Sequence, residues 1–586
     1  MDLKSFAKLL TQISLFFVLL GLDSALEPCS LFILDAHNLS VPSNYSTYQT
    51  MSEIANHLSQ ITANPDNSSC SILGVIVYPG DYMIEEQLSI NGNLQSYSII
   101  FNASSADTPA GGPLTSFTFQ NQSNLLLENF IAVQFRDITL VFGNQSTNSL
   151  TIMNVLEVSI LNMNLTESQP NSGTDPQIKI VQPTKLTIYS VNINSLLSPN
   201  FFAITGNKLP AAFVNITNLV IEYAITQANQ NLFSQINDPC ALLINSSLEL
   251  KMTNISVVSP KDNATGLPIT TSFLSKVIYI VDSNDTTISG LNVINFTSNY
   301  NDYRYLFNLQ NTSYLLVENI KFAGNELNNL ANPRIFDIVD VKVAYLNEIE
   351  ISQNFLSAPS AVTASFFTVR LPATFYSGIM MKDVLIENMP QVTFLSLSGA
   401  FAVFNISNFT ARNLGMKAGT LFDIDIYHKN KDYYYTWFST GIICYSYMAD
   451  ILFDNITFNR TSSSFINFRH SIKNSNFEYL TYGEAVSAVL QNVTFSKVTA
   501  IQSSGSQSGL IFFNGVKGTV NQVSLLDSAL TFQNFLVSLE ASLVVDALNM
   551  SNVSLSGAFT IYQNANFAMY SAQLYRTSNY EIYYST

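Results

Sequence analysis

The chain is short of charge, cysteine, histidine and tryptophan, and each shortage closes off a class of chemistry. Only 11% of its 586 residues are charged, and 25 Lys and Arg face 41 Asp and Glu for a formal net charge of −16. An average soluble domain carries about 25% charged residues. Binding to phosphate backbones needs clustered Lys and Arg, so nucleic acid is not an expected partner. The four cysteines, Cys29, Cys70, Cys240 and Cys444, have no spacing that resembles a zinc site. No cofactor or metal motif accompanies them. Beyond the N-terminal segment, no stretch approaches the ~18 apolar residues that a helical membrane span needs. No Pro/Gly/Ser-rich linker or shift of composition divides the chain after Cys70.

What the chain does have is a short phrase that keeps returning: apolar residues, Asn, Ile or Val, a small hydroxylated residue, another apolar one. It reads FVNITNL at residues 213–219, TNISVV at 253–258, VINFTS at 293–298, LVENIKF at 316–322, VFNISNF at 403–409, LFDNITF at 452–458, LQNVTF at 490–495 and SNVSL at 551–555. Irregular intervals of roughly 20 to 45 residues are the signature of stacked repeats. Each copy is too short to bury its own apolar face, so neighbours must stack. Ile, Val, Thr and Phe dominate, and the alternation of Ile456, Thr457 and Phe458 has a period of two, which selects strand over helix. The recurrent Asn suits a sharp corner between strands, because Asn tolerates the left-handed conformation.

With these phrases the chain resembles the right-handed parallel β-helix of the pectin lyase-like superfamily. The resemblance covers about residues 125–555 in weak copies, and is sharpest in GVIVYPGDYMIEEQLSI, residues 74–90, which looks like a first coil with a turn at Pro79 and Gly80. Ahead of it, Met51, Ile54, Ala55, Leu58 and Ile61 share one helical face, and Thr50 with Glu53 forms a capping-box pattern. An amphipathic helix there would plug the open end of the solenoid. The expected organisation is therefore a signal peptide over 1–25, an N-terminal cap with a helix over 26–70, and one all-β solenoid of about 16 coils over 71–586, roughly 75 Å long at ~4.8 Å per coil.

Lys4 and Lys8 followed by the apolar residues 9–22 read as a secretory signal with cleavage near Ala25. An uncleaved anchor is the alternative, and the end of the chain shows no hydrophobic tail for a lipid anchor. Secretion makes a Cys29–Cys70 disulfide the natural pairing, worth about 3–4 kcal/mol for a loop of about 40 residues. Cys240 and Cys444 lie some six coils apart, near 30 Å at ~4.8 Å per coil, and read as unpaired core thiols. The sequence spells 21 Asn-x-Ser/Thr sequons. Many belong to the repeat, where an Asn in a stacked ladder cannot carry a glycan. Asn38, Asn44, Asn67, Asn102, Asn121 and Asn144 near the start, with Asn263 and Asn284 as loop sequons, are the expected acceptors.

The enzymes of this superfamily cleave acidic polysaccharides with carboxylates from adjacent coils. The Asn-Thr-Asp, Asp-Asp, Gly-His-Gly and Arg-Ile-Lys motifs of its polygalacturonase-like members are absent, and none of His37, His57, His428 and His470 is flanked by glycine. Gly80, Tyr82 and Glu85 approach the pectinesterase-like Gly-x-Tyr-x-Glu, with the Glu one position late, and read as structural. The best carboxylate pair is Asp423 and Asp425 in FDIDIYH, which leave one face of a strand while Phe422, Ile424 and Ile426 point inward, with His428 following. They could act as general acid and base or hold Ca²⁺, or simply keep an exposed strand wet. Glu348 and Glu350 repeat the spacing. The segment 428–438, HKNKDYYYTWF, gathers Tyr433, Tyr434, Tyr435 and the single Trp437, and could stack on sugars or cover the solenoid wall. The expectation is a secreted or cell-surface glycoprotein with a structural, adhesive or coat role, meeting extracellular glycans or surface proteins. The alternative is a polysaccharide lyase or glycoside hydrolase with a degenerate acidic site.

Overall fold

The computed structural model describes residues 30–35, 45–63 and most of 71–585; residues 1–29, 36–44, 64–70, 105–114, 224–239, 260–275, 358–364, 429–443, 473–485 and 502–508 are the longer segments outside the description. Within the described residues every strand pairing is parallel, and strands are joined coil to coil into a single parallel β-helix. One coil shows the plan. Strand Cys240–Val258 runs along residues 240–245, turns at Ser246, runs along 247–253, turns at Asn254 and runs again along 255–258, with Leu242 and Ile244, Leu250 and Met252, and Ile255 and Val257 buried on the three runs. The polypeptide thus walks three faces of a prism without leaving the β region for more than one residue at a time.

On the second face the ladder is unbroken from Ser30–Leu34 through Ile72–Val77, Ser98–Ala103 and their successors to Phe567–Ser578, eighteen strands in seventeen parallel pairings. At ~4.8 Å per pairing the rod is about 80 Å long. The ladder starts earlier than the Ser71 boundary read from the sequence. Ser30–Leu34 lies upstream of the helix yet hydrogen-bonds in register with Leu73–Val77. LFIL carries no repeat phrase, so only its partner strand identifies it as a rung.

The helix α1, Met51–Ala63, packs chiefly against strand Gln87–Asn91, where Ser59 Oγ donates to the Ser89 carbonyl at 2.9 Å, and buries Met51, Ile54, Ala55 and Leu58. The capping box forms as expected: the Glu53 amide donates to Thr50 Oγ1 at 3.2 Å, and the Thr50 amide donates to Glu53 Oε2 at 3.2 Å. In the first full coil, Tyr82 is buried with its hydroxyl 2.9 Å from each of the Leu34 and Tyr78 carbonyls, which share its one proton. The Gly80–Tyr82–Glu85 pattern is therefore part of the cap.

The corners explain the repeat. Asn218, Asn254, Asn295, Asn319, Asn408, Asn455, Asn492 and Asn552, one from each phrase, all have φ between 52° and 57°. Where a phrase holds two Asn three residues apart, the second is the corner: Asn218 rather than Asn215, Asn408 rather than Asn405. Successive corners bond along the rod through their amides. Asn254 Nδ2 donates to Asn218 Oδ1 at 2.6 Å, Asn455 to Asn413 at 2.7 Å, Asn492 to Asp450 at 2.7 Å and Asn552 to Asp527 at 2.9 Å. These side chains lie on the outer edges, exposed except for the half-buried Asn218, not buried as the ladder reading implied. A corner that turns the backbone by a left-handed residue throws its side chain outward.

Gly290 stands in register between Asn254 and Asn319 with φ 72°, so the corner accepts glycine, which enters the left-handed region without strain. Asn455→Ala is accordingly expected to cost about 2 kcal/mol, from a left-handed backbone of about 1 kcal/mol and a lost hydrogen bond of about 1 kcal/mol. Asn455→Gly should cost about half of that, as read from chemical denaturation midpoints. Equal losses for the two variants would mean that the corner is not what Asn455 provides.

Six pairings separate the rung of Glu249, in the strand of Cys240, from that of Tyr445, beside Cys444. At ~4.8 Å each, that separation of about 29 Å rules out a bond between the two cysteines. Cys240 is buried in the core. Cys29 and Cys70 lie outside the described residues. The last rung, Phe567–Ser578, leaves Tyr570, Leu574 and Tyr575 exposed.

Candidate functional site

Among the described residues, the first face carries the charged groups that stand closest together. Its strands Tyr305–Gln310, Arg334–Val339, Ser365–Arg370, Thr393–Gly399, Phe422–His428 and Ile466–Ile472 are stacked in register, so outward positions form columns along the rod. One column runs Asn308, Asp337, Thr368, Ser396, Asp423, Asn467, and its neighbour runs Gln310, Val339, Arg370, Ser398, Asp425, Arg469. The alternation in FDIDIYH is as the sequence implies: Phe422, Ile424 and Ile426 are in the core, and Asp423 and Asp425 face outward, 30% and 23% exposed.

Arg469, one rung on, occupies the space between the two carboxylates. Its Nη2 is 2.9 Å and 3.0 Å from the Asp423 oxygens and 3.8 Å from Asp425 Oδ2. Asn467 Nδ2 donates to Asp423 Oδ1 at 2.9 Å. His428 closes the same strand, paired with Ile472. Among the described residues no group of three or more His, Cys, Asp and Glu is arranged to hold a metal ion. Tyr433, Tyr434, Tyr435 and Trp437 lie outside the described residues.

A second cluster sits in the same two columns, three rungs earlier. Asp337 is fully buried, and its Oδ2 accepts from Arg370 Nη2 at 2.7 Å and from Asn308 Nδ2 at 3.2 Å. Sequence reasoning missed Arg469, Asn467, Asp337 and Arg370. Arg469 is 46 residues from Asp423, and only the coil register brings them together. The Glu348 and Glu350 pair dissolves in the structure: Glu348 is a corner with φ 54°, and Glu350 pairs with Lys321 at 3.1 Å. The two carboxylates therefore leave different parts of the prism.

Of the expected glycan acceptors, Asn284 and Asn102 are described. Asn284 is exposed, within strand Lys276–Ile294 rather than on a loop. Asn102 is half-buried in strand Ser98–Ala103, with its Oδ1 enclosed and lacking a hydrogen-bond partner. Asn38, Asn44, Asn67, Asn121, Asn144 and Asn263 lie outside the described residues. Among the described residues no helix is long and apolar enough to cross a membrane.

The folded architecture defines the class, a single-chain parallel β-helix. No protein-family model matches the sequence, and no curated protein does. Among solved structures, the chain is similar to the catalytic domain of a GH87 α-1,3-glucanase in complex with nigerose, at 11% identity and TM-score 0.18, over 96% of this chain and 67% of that one. A likeness of that size bears on neither mechanism nor ligand.

Proposed function

We propose that the chain is a non-catalytic, glycosylated β-helix of the cell exterior, with a structural, adhesive or coat role and with extracellular glycans or surface proteins as partners. The bridge from Arg469 to Asp423 and Asp425 carries the reading. Acid–base cleavage of a glycosidic bond needs one carboxyl to deliver a proton and another to receive one or attack the sugar. Here one guanidinium engages both, and Asn467 takes up a further lone pair of Asp423. The arrangement is that of an ion-paired surface strand. Secretion and the Cys29–Cys70 bridge rest on the apolar N-terminal segment, and an exposed sequon such as Asn284 fits a glycan coat. The aromatic segment 428–438 remains the sequence-based candidate for ligand contact.

A second reading is a polysaccharide lyase or glycoside hydrolase built on Asp423, Asp425 and His428. It is favoured by one observation, that the two carboxylates leave one face and remain partly open to solvent. Incubation of the purified chain with pectins, alginates and chitosans, with and without Ca²⁺, discriminates the two. The expected outcome is no new reducing ends and no unsaturated products. Turnover that disappears in Asp423→Asn or Asp425→Asn would establish the second reading instead.

A further inference from the structure

The outer side of the second face holds an uncharged aromatic stripe. Two adjacent outward columns run Tyr314, Val343, Gly378, Val403, Tyr445 and Leu316, Tyr345, Met380, Asn405, Tyr447. None of these ten positions over five rungs is charged, in a chain whose outward strand positions elsewhere hold Glu, Asp, Lys and Arg. Tyr314, Val403 and Tyr445 are 36–38% exposed, although apolar or aromatic. The tyrosines come in two pairs. Tyr314 and Tyr345 have ring centroids 5.6 Å apart, and Tyr445 and Tyr447 lie 6.0 Å apart with planes within 14°. Burial against the sheet and the neighbouring Tyr447 push the Tyr445 hydroxyl above its usual pKa, and the Tyr447 hydroxyl donates to Gln491 Oε1 at 2.6 Å.

Between the pairs the surface dips. A Cβ placed on Gly378 would meet nothing nearer than the Val403 carbonyl at 3.7 Å, so the floor there is bare backbone. Tyr345 and Tyr445 are three rungs apart, about 14 Å at ~4.8 Å per rung. The stripe is therefore a shallow trough along the rod axis with aromatic plates at both ends.

We propose that this trough binds an extended, uncharged polysaccharide strand laid along the solenoid axis. Contiguous exposed apolar surface on a soluble chain marks an interaction site. Tyrosine joins a flat apolar ring to a polar edge, which matches a pyranose, with C–H groups on its faces and hydroxyls around its rim. The rung spacing is close to the length of one hexose residue in an extended glycan, so successive sugars meet equivalent positions. Charge selects the neutral class: none of the ten stripe positions is a cation, Lys342 and Lys382 stand beside them rather than among them and Lys382 is ion-paired with Asp383 at 3.6 Å, and the chain's net charge of −16 repels an acidic polymer. The inference rests on the adhesive reading above and names its ligand class and its face.

The test is retention of the purified full chain on cellulose, chitin and β-1,3-glucan, with polygalacturonate as the acidic comparison. Wild type is expected on at least one neutral polymer and not on polygalacturonate. Tyr445→Ala with Tyr447→Ala should weaken that binding at least tenfold. Gly378→Arg, which adds a side chain to open floor without touching the core, should abolish it with an unchanged thermal midpoint. Retention unaffected by the folded Gly378→Arg protein would overturn the assignment, as would retention on polygalacturonate alone or capture of a surface protein on this face instead of a glycan. Absence of any polysaccharide binding would sink this inference while leaving the non-catalytic reading intact; turnover of a bound polymer would do the reverse.

Discussion

Phe367→Ala is expected to remove about 3–5 kcal/mol of stability, the range for truncating a fully buried phenylalanine. The Phe367 ring stacks on Phe336 with centroids 4.9 Å apart, Phe336 stacks on Phe307 at 4.7 Å, and Phe394 meets Phe367 edge-on at 5.5 Å. In a parallel β-helix the rung spacing of ~4.8 Å is also a comfortable spacing for stacked rings, so like residues in register make a continuous column. The void left by alanine cannot close, because parallel ladders on both sides hold the neighbouring strands at fixed height. Phe367→Leu should cost less than about 1.5 kcal/mol, since it keeps most of the volume, and Tyr314→Ala on the surface should stay within about 0.5 kcal/mol. Denaturant midpoints of the three variants measure the order. A loss below about 1 kcal/mol for Phe367→Ala would mean that the interior is not close-packed at this rung. Because each coil touches only its neighbours, the loss should fall on the coils around Phe367, and hydrogen exchange there should accelerate before it does near α1.

Arg370→Ala is expected to cost about 3 kcal/mol through a different mechanism. Asp337 is wholly enclosed, while the Arg370 side chain is 44% exposed, and the two meet at 2.7 Å. Removing the cation leaves a buried carboxylate without its charged donor, while Asn308 still donates to the same oxygen. Breaking a buried pair from one side costs about 3–5 kcal/mol, and the open side of Arg370 puts this case at the lower end. The same substitution made in Asp337→Asn should cost less than about 1 kcal/mol, because the stranded charge is gone. If Arg370→Ala is equally damaging in both backgrounds, the guanidinium acts by packing and the electrostatic account fails. Arg469→Ala is the informative contrast, since Asp423 and Asp425 are both partly exposed and water can replace the lost partner.

These two experiments separate the parts of the fold that are written in the chain from those that are not. The corner Asn was legible because only a few residue types accept φ near 55°, so its chemistry repeats wherever the backbone turns. α1 was legible because a helix face and its capping box are local, within a dozen residues. The alternation around Asp423 was legible for the same reason: strand period is a property of neighbours.

The structure alone decided which coil stacks on which. Segments of unequal length separate the rungs, so nothing near Asp423 announces Arg469, and nothing near Ser30–Leu34 announces its pairing with Leu73–Val77. It also turned an apparent Glu348–Glu350 pair into a corner and a salt bridge, and aligned four tyrosines from three coils into one stripe. Sequence determined the strand, the corner and the inward residues, because these depend on steric and hydrophobic preferences over a few bonds. Register across coils depends on the summed pairing of whole rungs, and therefore so does every column of side chains on the outer faces.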